Sequence, residues 1–390
     1  MGEVCTTIDL GVKKSEKSLG EGTKATRKAF DFTGLKASMG GFRNQPIAEV
    51  IAILSLNPGN AHAASILVSP IFFVPFVRFV VVNNIQMLRS TERNTWMNYP
   101  QLIPEHIKNL IDWNDPNDPL RKQFVYDQRE DFRSPGESDD PLREAEHSPV
   151  PGLIHKYRNR VLWLVTDRCP VHCRFCFRRC RGAQADEPGS VLVDERIHIL
   201  EYIRSHMEID EVILSGGDPF MLDTGTLRTI LLELAAIPHV RMLRIHTRFP
   251  VAVPGKFTPK MIDALNIIKI LRIVLHINHP REISGEFIEV VKKLRESGII
   301  LLAQTVLLTE VNDNVDLLRR LFLELAALGI QPYYLHELDP VIGSGHFRVN
   351  RDDAMTLYSK LMKCLPGHAL PRYVADVPGR DSKTFFSPSS

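Results

Sequence analysis

The chain has 390 residues, with 48 Lys and Arg against 46 Asp and Glu, a formal net charge of +2. So even a balance leaves no electrostatic footprint for nucleic acid or an acidic membrane surface. A hydrophobic share of 44% with 24% charged residues describes a globular protein able to bury a large core, and six cysteines in this length fit a reducing cytoplasm better than a disulfide scaffold.

Residues 1 to 45 are rich in Lys, Gly, Ser and Thr with little periodicity, and read as disordered. Ala61–Val82 (AHAASILVSPIFFVPFVRFVVV) is strongly apolar and long enough to cross a bilayer, although Pro70, Pro75 and Arg78 interrupt it. It lies too far from the N-terminus for a cleaved signal peptide. Residues 1–86 are therefore set apart as a poorly defined extension, either genuine or the product of a start codon placed too early, with Met87 or Met97 as the other starts. From Asn98 to Pro149 the chain is polar: IPEHIKNLI predicts a short helix, and DPNDPLRKQ and DDPLREAEHSPVPGL read as turn-rich extended segments.

Strand-like runs then recur at Val161–Thr166, Glu211–Ser215, Met242–Thr247, Arg272–Asn278, Ile300–Leu307 and Gln331–Glu337. Between them, Glu195–Met207, Thr224–Ala236, Phe287–Ser297 and Asn314–Leu328 carry apolar residues at helical spacing. Six alternations of strand and helix argue for an α/β fold with a parallel sheet and helices outside it, over 156–345, followed by a C-terminal segment, 346–390. Periodicity alone does not separate an open sheet from a partly closed barrel.

The first of these runs ends at Asp167 and Arg168, and Cys169, Cys173 and Cys176 follow in a C-x3-C-x2-C triplet. With six cysteines in the chain, two more at +4 and +7 from any one of them is about a one-in-a-thousand accident, so the triplet is a ligand set. Three thiolates at a strand's end can hold one corner of an iron–sulfur cube and leave the fourth iron open to a small molecule. Zinc is the rival, with Cys180 as a fourth thiolate.

This triplet resembles the signature of the radical S-adenosylmethionine enzymes, and TDRCPVHCRFCFRR, preceded by SPVPGLIHKYRNR, is similar to the lysine 2,3-aminomutase family, with the similarity running from Asp115 to Lys383. The resemblance implies a (β/α)6 partial TIM barrel behind an N-terminal helical and extended collar (87–155). It implies a [4Fe-4S] cluster on Cys169, Cys173 and Cys176. It places S-adenosyl-L-methionine at Ser215-Gly216-Gly217-Asp218, His276 and Gln304, where the glycines let backbone approach a ligand closely. Lys383, in VADVPGRDSKT, resembles the lysine that carries pyridoxal 5'-phosphate, although the family reads a run of glycines before it. Arg160 matches a phosphate-binding arginine, and Lys156 stands where the lysine mutases carry another.

For the substrate, Arg178 resembles the arginine that grips the α-carboxylate, and Asp339 and Asp376 match two acidic positions that hold a distal ammonium. Two carboxylates near one pocket suit a cation between them, which favours L-lysine over glutamate or alanine. The reaction implied moves the α-amino group of L-lysine to the β-carbon, through a 5′-deoxyadenosyl radical that takes a β-hydrogen. A homo-oligomer fed by an electron donor such as flavodoxin or ferredoxin completes the expectation. Phe175 and His336 depart from the fermentative enzymes, and the C-terminal cysteines of that type are missing after Lys383. HINH at His276–His279 is closer to the branch serving elongation factor P, which tends to have Glu at position 376. A zinc-binding protein without activity is the expectation from another class.

Overall fold

A computed structural model describes residues 99–182, 193–266 and 270–387, together with five short strands before residue 72. The chain divides into two compact units, Met1–Arg93 and Asn94–Ser390. In the first, Ala63–Leu67 is the centre of a three-stranded antiparallel sheet with Thr7–Asp9 and Ile53–Leu56, and Glu49–Val50 pairs with Pro70–Ile71. Two pieces of the apolar stretch 61–82 are thus strands; the rest of it, and most of the segment expected to be disordered, lies outside the described residues. Among the described residues no helix is long and apolar enough to cross a membrane.

The second unit opens with α1 (Glu105–Leu110) and α2 (Pro119–Phe124), whose Ile103, Ile107, Ile111, Leu120 and Phe124 form a small core of their own with Val171 and Ala252. Nine strands follow: β1 (Leu153–Tyr157), β2 (Arg160–Thr166), β3 (Glu211–Gly216), β4 (Met242–Thr247), β5 (Leu271–His276), β6 (Ile300–Val306), β7 (Gln331–His336), β8 (Arg372–Ala375) and β9 (Thr384–Phe385). They lie side by side in sequence order. β2 to β8 are parallel, and antiparallel β1 and β9 form the two edges, so the sheet curls without closing. This is the expected partial barrel.

All six predicted strands are present within two residues of their expected bounds, as are the four helices, now α3 (Val193–Ser205), α4 (Thr224–Ala235), α6 (Gly285–Glu296) and α7 (Val315–Ala327). The structure adds α5 (Pro259–Asn266), α8 (Arg351–Cys364), β8 and the two edge strands, and it makes α2 a helix inside DPNDPLRKQ, which was expected to be turn-rich and extended. Side-chain caps begin several of these helices: Asp223 accepts from the Thr226 N–H, Ser284 from Phe287, Asn314 from Leu317 and Asn350 from Asp352. Each such cap contributes about 1 kcal/mol.

Alternation along the strands divides their side chains between two jobs. One set, including Trp163, Val165, Val212, Leu214, Leu243, Ile245, Ile273 and Leu275, is buried against the helices in the main core. The other set turns inward and is largely polar: Arg160, Glu211, Ser215, Arg244, His246, His276, Gln304, Tyr334 and His336 all line a cavity on the concave face.

The collar clamps the cysteine loop beyond β2. The His172 N–H donates to Leu102 O (2.9 Å) and the Arg174 N–H to Gln123 O (2.9 Å). Glu130, 2% exposed, accepts from Arg174 Nε (2.8 Å) and Nη2 (2.6 Å) and from Arg179 Nη2 (2.5 Å). Glu130→Ala would leave two buried guanidinium groups without their carboxylate. We expect a loss of about 3–5 kcal/mol, read as a lower midpoint in reversible urea unfolding; a midpoint within error of wild type would show the clamp to be energetically idle.

Candidate active site

The inward faces and the cysteine loop enclose a cavity of about 360 Å3, and every residue nominated from the sequence lines it. It runs from the cysteines, beyond the C-terminal ends of the strands, to Arg160, Glu211 and Arg244 near the opposite ends.

At the cysteine end the chain is packed against itself. Gly216 has φ 121°, and a Cβ there would strike the Thr166 carbonyl oxygen; at Gly217 a Cβ would strike that of Arg168. The Gly217 and Asp218 N–H groups donate to those same carbonyls at 2.6 and 2.7 Å. The glycines therefore admit the stem of the cysteine loop itself, where the sequence suggested a ligand. Asp218 is likewise occupied by the chain: buried, it accepts from Thr247 Oγ1 (2.8 Å) and from the N–H groups of Phe220 (3.1 Å), Arg248 (2.7 Å) and Phe249 (3.0 Å). Burial lifts its carboxyl to about 6 against those hydrogen bonds.

Burial also pushes the Cys176 thiol up to about 11 and the Cys169 thiol well above its ordinary value, with neighbouring thiols adding to the effect. Such thiols stay protonated until a metal takes them, and binding then releases protons. Cys173 accepts from Arg248 Nη1 at 2.8 Å, and Arg248 is itself held by Glu282 (2.6 Å) and Gln123 (2.7 Å). Among the described residues no three His, Cys, Asp or Glu groups converge on a point that one ion could occupy. Cys180 is buried at 3% and does not line the cavity, so it offers no fourth ligand there. The donor set fits a three-cysteine cluster and lacks the fourth thiolate that the zinc reading required.

Midway along the cavity, His276 ends β5 and stands level with Gln304 on β6. The Nε2 atoms of His276 and His246 are buried with no hydrogen-bond partner among the described residues. Burial holds both imidazoles neutral, helped by Arg248 for His276 and Arg244 for His246. Polar atoms left unpaired on a cavity wall mark places for a polar ligand. Arg178 spans towards this region, with Nη1 donating to Ser215 Oγ (3.1 Å) and Nε and Nη2 bound to Glu144 (2.9 and 2.6 Å).

Asp376, just past the C-terminal end of β8, is ion-paired with Lys383, hydrogen-bonded by Tyr157 and lies 3.6 Å from Lys156 Nζ. Against the cost of burial, Lys383 and then Tyr157 hold its carboxyl at about 2. Asp339, half-buried nearby, is raised to about 7, by burial first and by Asp376 second. Arg160 packs over the Tyr157 ring at 4.2 Å. His336 is held at about 3 by burial and by Lys383, and so is neutral. The structure thus brings all the nominated residues together, but gives Asp376 an internal cation and Arg178 an internal carboxylate.

Tyr157, Glu144, Arg244, His246, Arg248 and Tyr334 also line the cavity and were not singled out from the sequence. For Arg244, His246 and Tyr334 a signal existed: polar groups at every second position of an otherwise apolar strand mark an inner face. For Arg248 and Glu144 none did, because their partners are distant in the chain.

Comparison with known proteins agrees with this geometry. Residues 163–321 match the model of the Radical SAM superfamily. The L-lysine 2,3-aminomutase of Escherichia coli strain K12 is 41% identical over 284 residues, 72% of this chain and 82% of the relative. Those of Haemophilus influenzae and Clostridium subterminale are 38% and 37% identical, over 73% and 74% of this chain and 84% and 68% of their own. This overturns the expectation of a zinc-binding protein without activity. The chain belongs to the lysine 2,3-aminomutase family of radical S-adenosylmethionine enzymes.

Proposed function

We propose that this enzyme moves the α-amino group of L-lysine to the β-carbon, using a [4Fe-4S] cluster, S-adenosylmethionine and pyridoxal phosphate. The observation that carries the substrate is the pair Asp339 and Asp376 beside the Lys383 ammonium, in a cavity that the Arg178 guanidinium also lines. Glutamate would bring a third carboxylate to that pair, and alanine has nothing to offer it.

When bound, the three groups supply an electron, a hydrogen-abstracting radical and an electron sink for the migrating nitrogen. The chain's own part is to hold and exclude. Cys169, Cys173 and Cys176 hold the cluster, and Gly216 and Gly217 let their loop lie against β3. Ser215, His276 and Gln304 offer polar contacts to S-adenosylmethionine, while Asp218 acts indirectly, through the backbone turns that it caps. Lys383 carries the pyridoxal carbonyl, and Arg160 and Lys156 neutralise its phosphate. Arg178 receives the substrate carboxylate. The buried wall keeps water from a site where three reactants must lie in contact.

In this reading the collar (87–155), barrel (156–345) and Lys383-bearing segment (346–390) act together, and residues 1–86 take no part. A homo-oligomer works in a reducing cytoplasm with a flavodoxin- or ferredoxin-type donor; the cysteines 169, 173, 176, 180 and 364, all outside disulfides, suit that compartment.

Anaerobic turnover of the reconstituted enzyme, with lysine, glutamate and alanine offered in parallel, tests the proposal. β-Lysine should form only when all components are present; S-adenosylmethionine cleavage without any β-amino acid would refute the substrate. In Lys383→Ala the pyridoxal absorbance should vanish while iron content stays at the wild-type level; retained absorbance would remove Lys383 from its role. Asp339 titrates near 7 and binds a cation only when ionised, so KM for lysine should fall as pH rises through about 7. That step should be missing in Asp339→Asn, and its persistence there would assign it to another group.

A further inference from the structure

A guanidinium has five N–H donors, and those of Arg178 are nearly all engaged by the chain itself. Nε donates to Glu144 Oε2 at 2.9 Å and Nη2 to Glu144 Oε1 at 2.6 Å, a side-on bidentate pair. Nη1 reaches Ser215 Oγ at 3.1 Å and Gly216 O at 3.4 Å. The Phe177 ring lies beneath the guanidinium at 4.5 Å. The side chains of Arg178 and Glu144 are 12% and 16% exposed, so water competes little for either.

Glu144 stands on a firm mount. It opens the turn Glu144–His147, which is entered through Arg143 in the left-handed region (φ 52°, ψ 45°). The Asp140 carboxylate accepts from the Glu144 N–H (2.9 Å) and the Ala145 N–H (3.1 Å). A charge-assisted pair from a fixed backbone fixes the guanidinium as well.

We propose that Glu144 is a positioning residue that holds the Nε–Nη2 side of Arg178 and thereby aims its Nη1–Nη2 end at the substrate's α-carboxylate. The inference rests on the role given to Arg178 above. The remaining Nη2 N–H and the Nη1 N–H now on Gly216, whose 3.4 Å contact is at the limit of a hydrogen bond, make a second two-pronged face. Glu144 is then a determinant of specificity for α-amino acids over simple amines.

The test is Glu144→Gln in the holoenzyme, which keeps the shape and removes the charge. KM for L-lysine should rise about tenfold, the scale of one weakened charge-assisted hydrogen bond, with kcat within about twofold of wild type. Competitive inhibition by 1,5-diaminopentane, which has both amino groups and no carboxylate, should not weaken. A lower KM would show Glu144 to compete with substrate, and overturn the proposal. So would an unchanged KM, or a loss of kcat together with weaker diamine inhibition, the mark of general disruption. Should Glu144→Gln fail to load iron, Asp140→Asn, which loosens the mount and keeps both charges, carries the same test: a smaller KM rise supports the proposal and none overturns it. A wild-type enzyme that makes no β-lysine sinks both this inference and the reading beneath it, whereas an active wild type with an indifferent Glu144→Gln sinks this inference alone.

Discussion

The burial of charge around the three thiols is the constraint on which the rest of the molecule turns. Arg174, Arg178, Arg179 and Arg248 all stand in or beside the cysteine loop, and each has a carboxylate: Glu130 serves two, Glu144 and Glu282 one each. Buried ion pairs of this kind add little net stability, because desolvation consumes most of the Coulombic gain. They do fix geometry, since each guanidinium has one place where its charge is answered. The loop is therefore rigid for reasons that do not depend on metal, and its thiols, which burial keeps protonated, are set out in advance. The partners come from far away in the chain, Glu130 and Glu144 from the collar and Glu282 from beyond β5. The collar is thus part of the ligand set's support.

The sheet meets a different demand with the same economy. A parallel strand covered by helices on both faces would be apolar throughout; here only the outer face is covered by helices, and the inner face can carry Glu211, Arg244, His246 and His336 at alternate positions. Their polarity is tolerated because they pair between adjacent strands, as Arg244 of β4 does with Glu211 of β3 at 2.7 Å, or because they are held neutral, as His246 and His336 are. An open sheet that curls part of the way round can have such an interior; a closed eight-stranded barrel would fill its own with side chains.

These two features mark how far the sequence could be read. The strand and helix spans followed from local periodicity and came out within two residues, because packing and propensity agree there. Cys169, Cys173, Cys176 and Lys383 were legible from motif resemblance. The edge strands were missed because β9 has two residues and β1 departs from the parallel pattern. The packing task of Gly216 and Gly217 was not legible, because a glycine at a strand end looks the same whether a ligand or another piece of backbone lies opposite it. Glu130 and Glu144 carried no signal at all, being ordinary glutamates in a polar segment. Their meaning arises only when the collar is folded onto a loop tens of residues downstream.

The two acidic residues beside Lys383 show how coupling divides a pair that composition would treat as equal. Asp376 has Lys383, Tyr157 and Lys156 about it, and stays ionised down to about 2. Asp339 shares the same neighbourhood without such a contact, and burial first and the charge of Asp376 second lift it to about 7. Lys383 and Lys156 therefore answer the charge of Asp376, while Asp339 is left poised between its two states. A second cation entering beside Asp339 would draw it into its ionised form and gain from doing so, whereas an anion would have to be paid for by protonating it. It is this asymmetry, more than the presence of two aspartates, that favours a cation beside Asp339.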